Sequence, residues 1–347
     1  MSSILRTHLC KLLGIEAPIF AAPMGFLTGP DLAAAVSNAG GLGIMSFSAN
    51  PPPMLRDDIR RLRSLTIKPF GVNVLLSGLH LPFSVDELVN VCIEERVPVL
   101  STFWGDPTPY VARAHAAGMK VIHQVGSVAD AQRAARAGVD AIIAQGVEAG
   151  GHIAGEVTTI ALVPRVVDAV APIPVVAAGG IADARGLVAA LVLGAQAVVI
   201  GTRLIATPEA YAHAVYKQKV LDANEDQTVR TTLFGFGWPN APHRTLRTPF
   251  VERWLPEEKR GSEQRPDEPH IGETKIGGQP VPLLRFMGFP PTPDASGDLE
   301  SMDYLAGQGV GLVHEIKPAT EVIGEFLEGA RHILSTFTME RDGAGRA

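Results

Sequence analysis

The chain has 347 residues, 46% of them apolar and 19% charged, with a formal net charge of −6; that is enough apolar material for a large core and excludes a disordered chain. Its basic residues are dispersed, which excludes a nucleic-acid or anionic-membrane surface, and RRLR at 60–63 reads as the solvated face of a helix. Two distant cysteines, Cys10 and Cys92, argue against a disulfide framework or a thiolate metal site, and no apolar run approaches the ~18 residues that span a bilayer, so a cytoplasmic protein is expected.

From residue 18 onward, short apolar runs alternate with longer alanine-rich stretches of helical period. The runs predict strands at 18–22, 41–46, 70–75, 98–103, 120–125, 141–144, 175–178 and 197–200. The stretches between and after them predict helices at 31–38, 54–65, 85–95, 108–117, 128–137, 160–171, 184–193 and 209–223. Ser84, Ser127 and Asp183 stand where N-caps are needed. Glycines in NAGG, AAGMKVI, RAGVDAI and VLGAQAV stand where helices must stop. Strands apolar on both faces, such as VVAA and AVVI, belong to a parallel sheet covered by helices. Eight such units in series predict an α/β fold, a (β/α)8 TIM barrel. A doubly wound sheet would carry GxGxxG in its first turn, and APMGFLTGPDLAA lacks it.

The alternation ends near residue 225, which divides the chain into a barrel at 1–225, an insertion at 226–300 and a returning segment at 301–347. The insertion reads as irregular and rich in Pro, Gly, Arg and Glu. Its aromatics, Phe234, Phe236, Trp238, Trp254, Phe286 and Phe289, imply that it packs on something. They suit either a cap over a pocket or a homodimer interface, and enrichment of aromatics and arginines at interfaces favours the second. An amphipathic helix at 319–336 is expected to dock on the barrel, with a polar tail fraying from Arg341.

Barrel chemistry sits at the C-terminal ends of the strands. Those positions hold Ala22, Pro23 and Met24, then Asn73, Ser101 and Thr102, His123 and Gln124, Gln145, Gly179 and Gly180, and Gly201 and Thr202. These groups suit a ligand held by backbone and neutral hydrogen bonds, with no carboxylate cage for a metal. Glycines at strand ends also serve tight turns. Two such loops on neighbouring strands, AAGGIAD and IGTR, favour a phosphate bound by backbone N–H groups. The loop at 144–155, AQGVEAGGHIAG, adds Gly150, Gly151 and His152 after the sixth strand. A histidine in that setting can exchange a proton near neutral pH, which points to His152 as the catalytic residue. Glu148 reads as a solvated loop carboxylate and His123 as packing or as support for the residues that touch the ligand, while His8, His80, His115, His213, His243, His270 and His314 are left structural.

Four stretches together carry a resemblance: APMGFLTGPDLAAAVSNAGGLGIMS, FGVNVLL, VIHQVGSVADAQRAARAGVDAIIAQGVEAGGHIAG and PVVAAGGIADARGLVAALVLGAQAVVIGTR. The chain resembles the FMN-dependent nitronate monooxygenases, formerly 2-nitropropane dioxygenases, over about residues 15–222 and again at YLAGQGVGLV, 304–313. The resemblance implies FMN as cofactor and oxidation of alkyl nitronates by dioxygen to carbonyl compounds and nitrite. It implies that Ala22, Pro23 and Met24 lie against the flavin ring, that Asn73 and Gln124 hydrogen-bond it, and that Gln145, Gly150 and Gly151 line its edge. Gly179, Gly180, Gly201 and Thr202 would then bind its phosphate, and Gln308 and Gly309 would fold back over it. His152 matches the family's catalytic histidine. Ala178 stands where the family often has serine, and Gln124 where some members carry lysine, a cation that would stabilise reduced flavin. The same superfamily includes NAD(P)H-dependent FMN reductases acting on enoyl thioesters or quinones, the alternative reading.

Overall fold

The computed structural model describes residues 5–46, 51–76, 82–262 and 267–343, with side chains described up to 336. His80 and the tail beyond 343 lie outside the described residues. Eight parallel strands form one sheet in the order first, eighth, seventh, sixth, fifth, fourth, third, second: Ile19–Ala21, Gly43–Ser46, Phe70–Leu75, Val99–Phe103, Lys120–Val125, Ala141–Gln145, Val175–Ala178 and Ala197–Ile200 in chain order. The sheet curls until its ends meet. Phe20 bridges Leu42, Leu42 N donates to Ile19 O at 2.9 Å, and Ala21 N donates to Leu42 O at 2.9 Å. A (β/α)8 barrel is therefore the observed fold, as the alternation of apolar runs predicts.

Helices Pro30–Asn38, Pro52–Leu65, Val85–Glu94, Thr108–Ala116, Val128–Ala137, Thr159–Val170 and Ala184–Val192 follow the first seven strands. Ser84, Ser127 and Asp183 cap three of them as expected, Ser84 in a reciprocal box with Glu87. Against one face of the strands these helices bury a large apolar layer. On the other face Phe20, Ile44, Ile122, Ile143, Val176 and Val199 fill the barrel interior. The short helix His8–Leu13 plugs the bottom of that interior with Leu9, Cys10 and Leu13, and Thr7 Oγ1 and Leu9 N hold it to Gln196 at 2.8 and 2.9 Å.

Two segments differ from the predicted pattern. The helix expected at 209–223 is shorter, Ala214–Asp222, and a single turn, Thr202–Ile205, follows the eighth strand directly. Between them tertiary partners outcompete helical bonding: Tyr211 N donates to Leu27 O, the Glu209 carboxylate accepts from Ala319 N, and His213 Nδ1 caps the later start. Residues 226–300, expected to be irregular, hold two small antiparallel sheets. Thr228–Thr231 pairs with His243–Leu246, which pairs in turn with Gly151–His152. His270–Ile276 pairs with Gln279–Leu284 across Gly277-Gly278, both at positive φ, the geometry a two-residue hairpin turn needs. Pro280 and Pro282 place the second of these strands at the sheet edge, since proline donates nothing to a neighbour. Such short, proline-broken strands leave almost no alternation to read. The final helix, Ala319–Gly343, is longer than the expected 319–336 and continues past Arg341; it packs against Ala184–Val192 and Pro30–Asn38. No helix among the described residues is long and apolar enough to cross a membrane.

Candidate active site

At the C-terminal ends of the barrel strands a cavity of about 390 Å³ opens, and residues 226–300 roof it. Its floor collects the strand-end residues: Ala22, Pro23 and Met24 from the first loop, Asn73 from the third strand, Gln124 from the fifth and Gln145 from the sixth. Gly150, Gly151 and His152 form one side, with Gly179, Gly180, Gly201, Thr202 and Gly309 at another. Gln308 is exposed and lines an adjoining groove with Glu225 and Leu312, which shares Gly179, Gly180 and Gly309 with the cavity. Nothing in the spacing of GQGVG separates Gln308 from Gly309; only the direction of the turn does.

The loop bearing His152 is held at several points. Gln145 Nε2 donates to His152 O at 3.0 Å, and Gly151 and His152 pair with Arg244 and His243 on the neighbouring strand. The buried Arg244 guanidinium donates to Val147 O through Nε and Nη2 at 3.1 and 2.9 Å and to Thr228 Oγ1 at 3.3 Å. Glu148 accepts from Thr159 N at 3.0 and 2.9 Å and from Thr159 Oγ1 at 3.0 Å, so it ties the loop to the start of the next helix. That corrects its reading as a solvated carboxylate. Two glycines are sterically required here. A Cβ on Gly150 would lie 2.5 Å from Gly307 N, and Gly179, at φ +113°, would meet Thr159 Oγ1 at 2.8 Å.

His152 Nε2 is enclosed and has no hydrogen-bond partner in the structure. Its ring stacks on Trp238, with centroids 4.1 Å apart and planes at 23°, while His243 lies 5.4 Å away. Burial, and secondarily the neighbouring His243, hold the His152 pKa well below the ordinary histidine range, so the ring is neutral at pH 7. His243 is neutral for a structural reason: Ala241 O accepts from Nδ1 at 3.0 Å and Nε2 accepts from Phe234 N at 3.4 Å. Burial lowers its pKa to about 4, and likewise that of His123, whose Nδ1 meets Thr102 Oγ1 at 2.8 Å below the floor. His123 is packing, as expected.

Polar groups on the wall are left for a ligand. Gln145 Oε1 is buried and, like His152 Nε2, has no partner, and such atoms are costly unless something else satisfies them. Gly307 N donates to Thr202 Oγ1 at 2.9 Å, and a hydroxyl that accepts one bond keeps its hydrogen to donate. Asp183 already caps the helix Ala184–Val192, with Oδ1 accepting from Arg185 N at 2.8 Å and Gly186 N at 3.4 Å. A phosphate at this end is left with the loop amides around Gly180 and Gly201. The residues fit a flat, amide-edged cofactor with a phosphate tail, and no group of three metal-ligating side chains occurs among the described residues.

Residues 226–300 supply what strand-end inspection missed: Arg244, which clamps the loop, and Trp238, which faces His152. Four of the six aromatics singled out in that segment, Phe234, Phe236, Trp238 and Phe289, line the cavity, which is the capping use of them. Trp254 and Phe286 pack on Phe250 in a separate small core.

Comparison with known proteins matches a family model described as nitronate monooxygenase to residues 6–329. The chain is 41% identical over 251 residues to a (3aS,4S,5R,7aS)-5-hydroxy-7a-methyl-1-oxo-octahydro-1H-indene-4-carboxyl-CoA dehydrogenase of Mycobacterium tuberculosis, covering 72% of this chain and 68% of that one. It is 33% identical over 365 residues to a nitronate monooxygenase of Pseudomonas aeruginosa, covering 92% and 98%. Its fold superposes on the solved structure of FabK from Thermotoga maritima with a TM-score of 0.78 at 40% identity, over 96% of this chain and 99% of that one.

Proposed function

Because the chain belongs to the nitronate monooxygenase family, we propose that it is an FMN-dependent monooxygenase that oxidises alkyl nitronates with dioxygen to carbonyl compounds and nitrite. The observation that carries this reading is His152: a neutral imidazole with an unpartnered, enclosed Nε2 in the wall of the cavity. FMN, when bound, supplies the electron acceptor for the substrate carbon. The chain's own residues do the rest. The loop amides around Gly180 and Gly201, with the Thr202 hydroxyl, hold the phosphate. Ala22, Pro23 and Met24 support the ring, Asn73, Gln124 and Gln145 direct amide groups to it, and Gly150, Gly151 and Gly309 let backbone come close. Gln308 lines the adjoining groove and is given no part in this reading.

For a nitronate, the tautomer that carries its proton on Nε2 donates that N–H to the nitro group; for a nitroalkane that arrives un-ionised, the other tautomer, with Nε2 unprotonated, removes the α-proton.

A second reading is an NAD(P)H-dependent FMN reductase acting on an enoyl thioester or a quinone, or a dehydrogenase of an acyl thioester. One observation favours it: the described residues lining the cavity include no Asp, Glu, Lys or Arg, which suits a neutral reacting group better than an anion. The decisive measurements are an aerobic panel of nitronates, with nitrite and oxygen followed together, and anaerobic mixing with NADH or NADPH. Nitrite release with the flavin left oxidised by both nucleotides is expected; rapid bleaching by either, without nitrite, establishes the second reading instead.

A further inference from the structure

The roof of the cavity is aromatic, and its aromatics are arranged in pairs. Trp238 lies flat on His152 and is met edge-on by Trp104 at 5.2 Å. Phe289 lies flat on Phe26, with centroids 4.2 Å apart and planes at 30°. Phe236 and Met287 bridge the two chain segments that carry these rings, with Phe236 N donating to Phe286 O at 3.1 Å. Phe26 and Trp104 hold φ of 64° and 55°. That backbone region is costly for a bulky side chain and persists where the surroundings over-determine it, commonly beside a site. Trp104 Nε1 is buried without a partner.

Trp238, Phe236 and Phe289 belong to residues 226–300 and lie across the cavity mouth from the strand ends to which the flavin ring is assigned, with Phe26 meeting Phe289 from the loop beyond Met24, so these rings are assigned to the substrate. A small alkyl nitronate would use little of it. A flat ring gains both burial and the offset or edge-on contacts that aromatic pairs favour. The described part of the lining offers no charge to pair with an ionic group on the skeleton. We infer that the substrate's carbon skeleton is an uncharged aryl or fused-ring body, gripped by Trp238, Phe236, Phe289 and Phe26 while its reactive end meets His152. This rests on the nitronate reading for the chemistry at that end, and on the roof alone for the skeleton.

The test uses the flavin-loaded protein and pairs of compounds equal in carbon count. The kcat/KM for the nitronate of phenylnitromethane is expected to exceed that for the nitronate of 1-nitroheptane at least tenfold. Trp238→Leu and Phe289→Leu, which keep an apolar side chain but remove the ring face, should each reduce that ratio at least fivefold, with flavin content reporting that the fold survives. Calorimetric titration with two neutral ketones, indan-1-one and nonan-2-one, needs no turnover; the ring compound should bind at least tenfold more tightly, and Trp238→Leu should erase the difference. If no nitronate is consumed but the ketone preference and its loss hold, the ring selectivity stands and the nitronate reading falls. Ketones binding alike, or selectivity indifferent to both variants, overturns the ring selectivity whatever becomes of the chemistry.

Discussion

Under the proposed function the chemistry falls to His152, an imidazole whose environment disfavours charge. Desolvation keeps it neutral, so its basic form persists well below pH 6.5. For a neutral nitroalkane, the acid limb of the kcat/KM profile should therefore fall below the ordinary histidine value of about 6.5; a limb centred above 7 would contradict this environment. His152→Ala should lower kcat/KM on that substrate by roughly 10²–10⁴-fold, the usual worth of a positioned base, while flavin content stays unchanged. At this scale the sequence placed His152 at the cavity, because a histidine among glycines at a strand end has few packing roles. Arg244 was not legible and Trp238 only as one of six aromatics suited to a cap or an interface: each belongs to a segment without periodicity, and what matters about them is which distant loop they touch. Gln308, matched by motif, lines the groove adjoining the cavity and not the cavity itself.

Elements decide how firmly that imidazole is presented. The strand Gly151–His152 exists only because His243–Leu246 pairs with it, across some ninety intervening residues whose shape no local pattern encodes. Arg244 and Glu148 then fix the loop at its two shoulders. Arg244→Met keeps the aliphatic stem but leaves Val147 O without its charged donors; a cost of about 1–3 kcal/mol is expected, with kcat/KM down roughly tenfold because the loop loses its position. Chemical denaturation alongside steady-state kinetics separates the two effects. Glu148→Ala removes the carboxylate that receives Thr159 N, equivalent to losing a helix cap, and should cost about 1 kcal/mol with a lowered melting temperature. Apart from the eighth helix, which starts at Ala214 and not at 209, helices and strands of the barrel proper were legible to within a residue or two, since caps, glycine stops and two-faced apolar strands are written locally. The hairpins of 226–300 were not, because Pro280 and Pro282 interrupt the alternation that marks a strand.

Across the whole molecule, buried titratable groups set a pH dependence of stability. His123 and His243, lowered to about 4 by burial, bind fewer protons folded than unfolded; their contribution is present above pH 6.5 and is lost as pH falls towards 4. Asp303 runs the other way. Its wholly buried carboxyl is pushed up to about 7 by desolvation, which outweighs the neighbouring Thr245 hydroxyl, so its contribution is full below about pH 4 and is lost as pH rises through 7. Melting temperature should thus fall on acidification from pH 7 to 4.5, and Asp303→Asn should gain stability relative to the parent at pH 8 compared with pH 5; a pH-independent difference between the two would show that Asp303 does not titrate in this range. The sequence by itself determined the barrel, its order of strands and helices, and the glycine loops and histidine at the strand ends, because periodicity, caps and turn residues act over a few neighbouring positions. Only the tertiary structure decided that residues 226–300 close over those strand ends, that Trp238 lies on His152, and that His152 is neutral, because stacking and desolvation depend on groups brought together from distant parts of the chain.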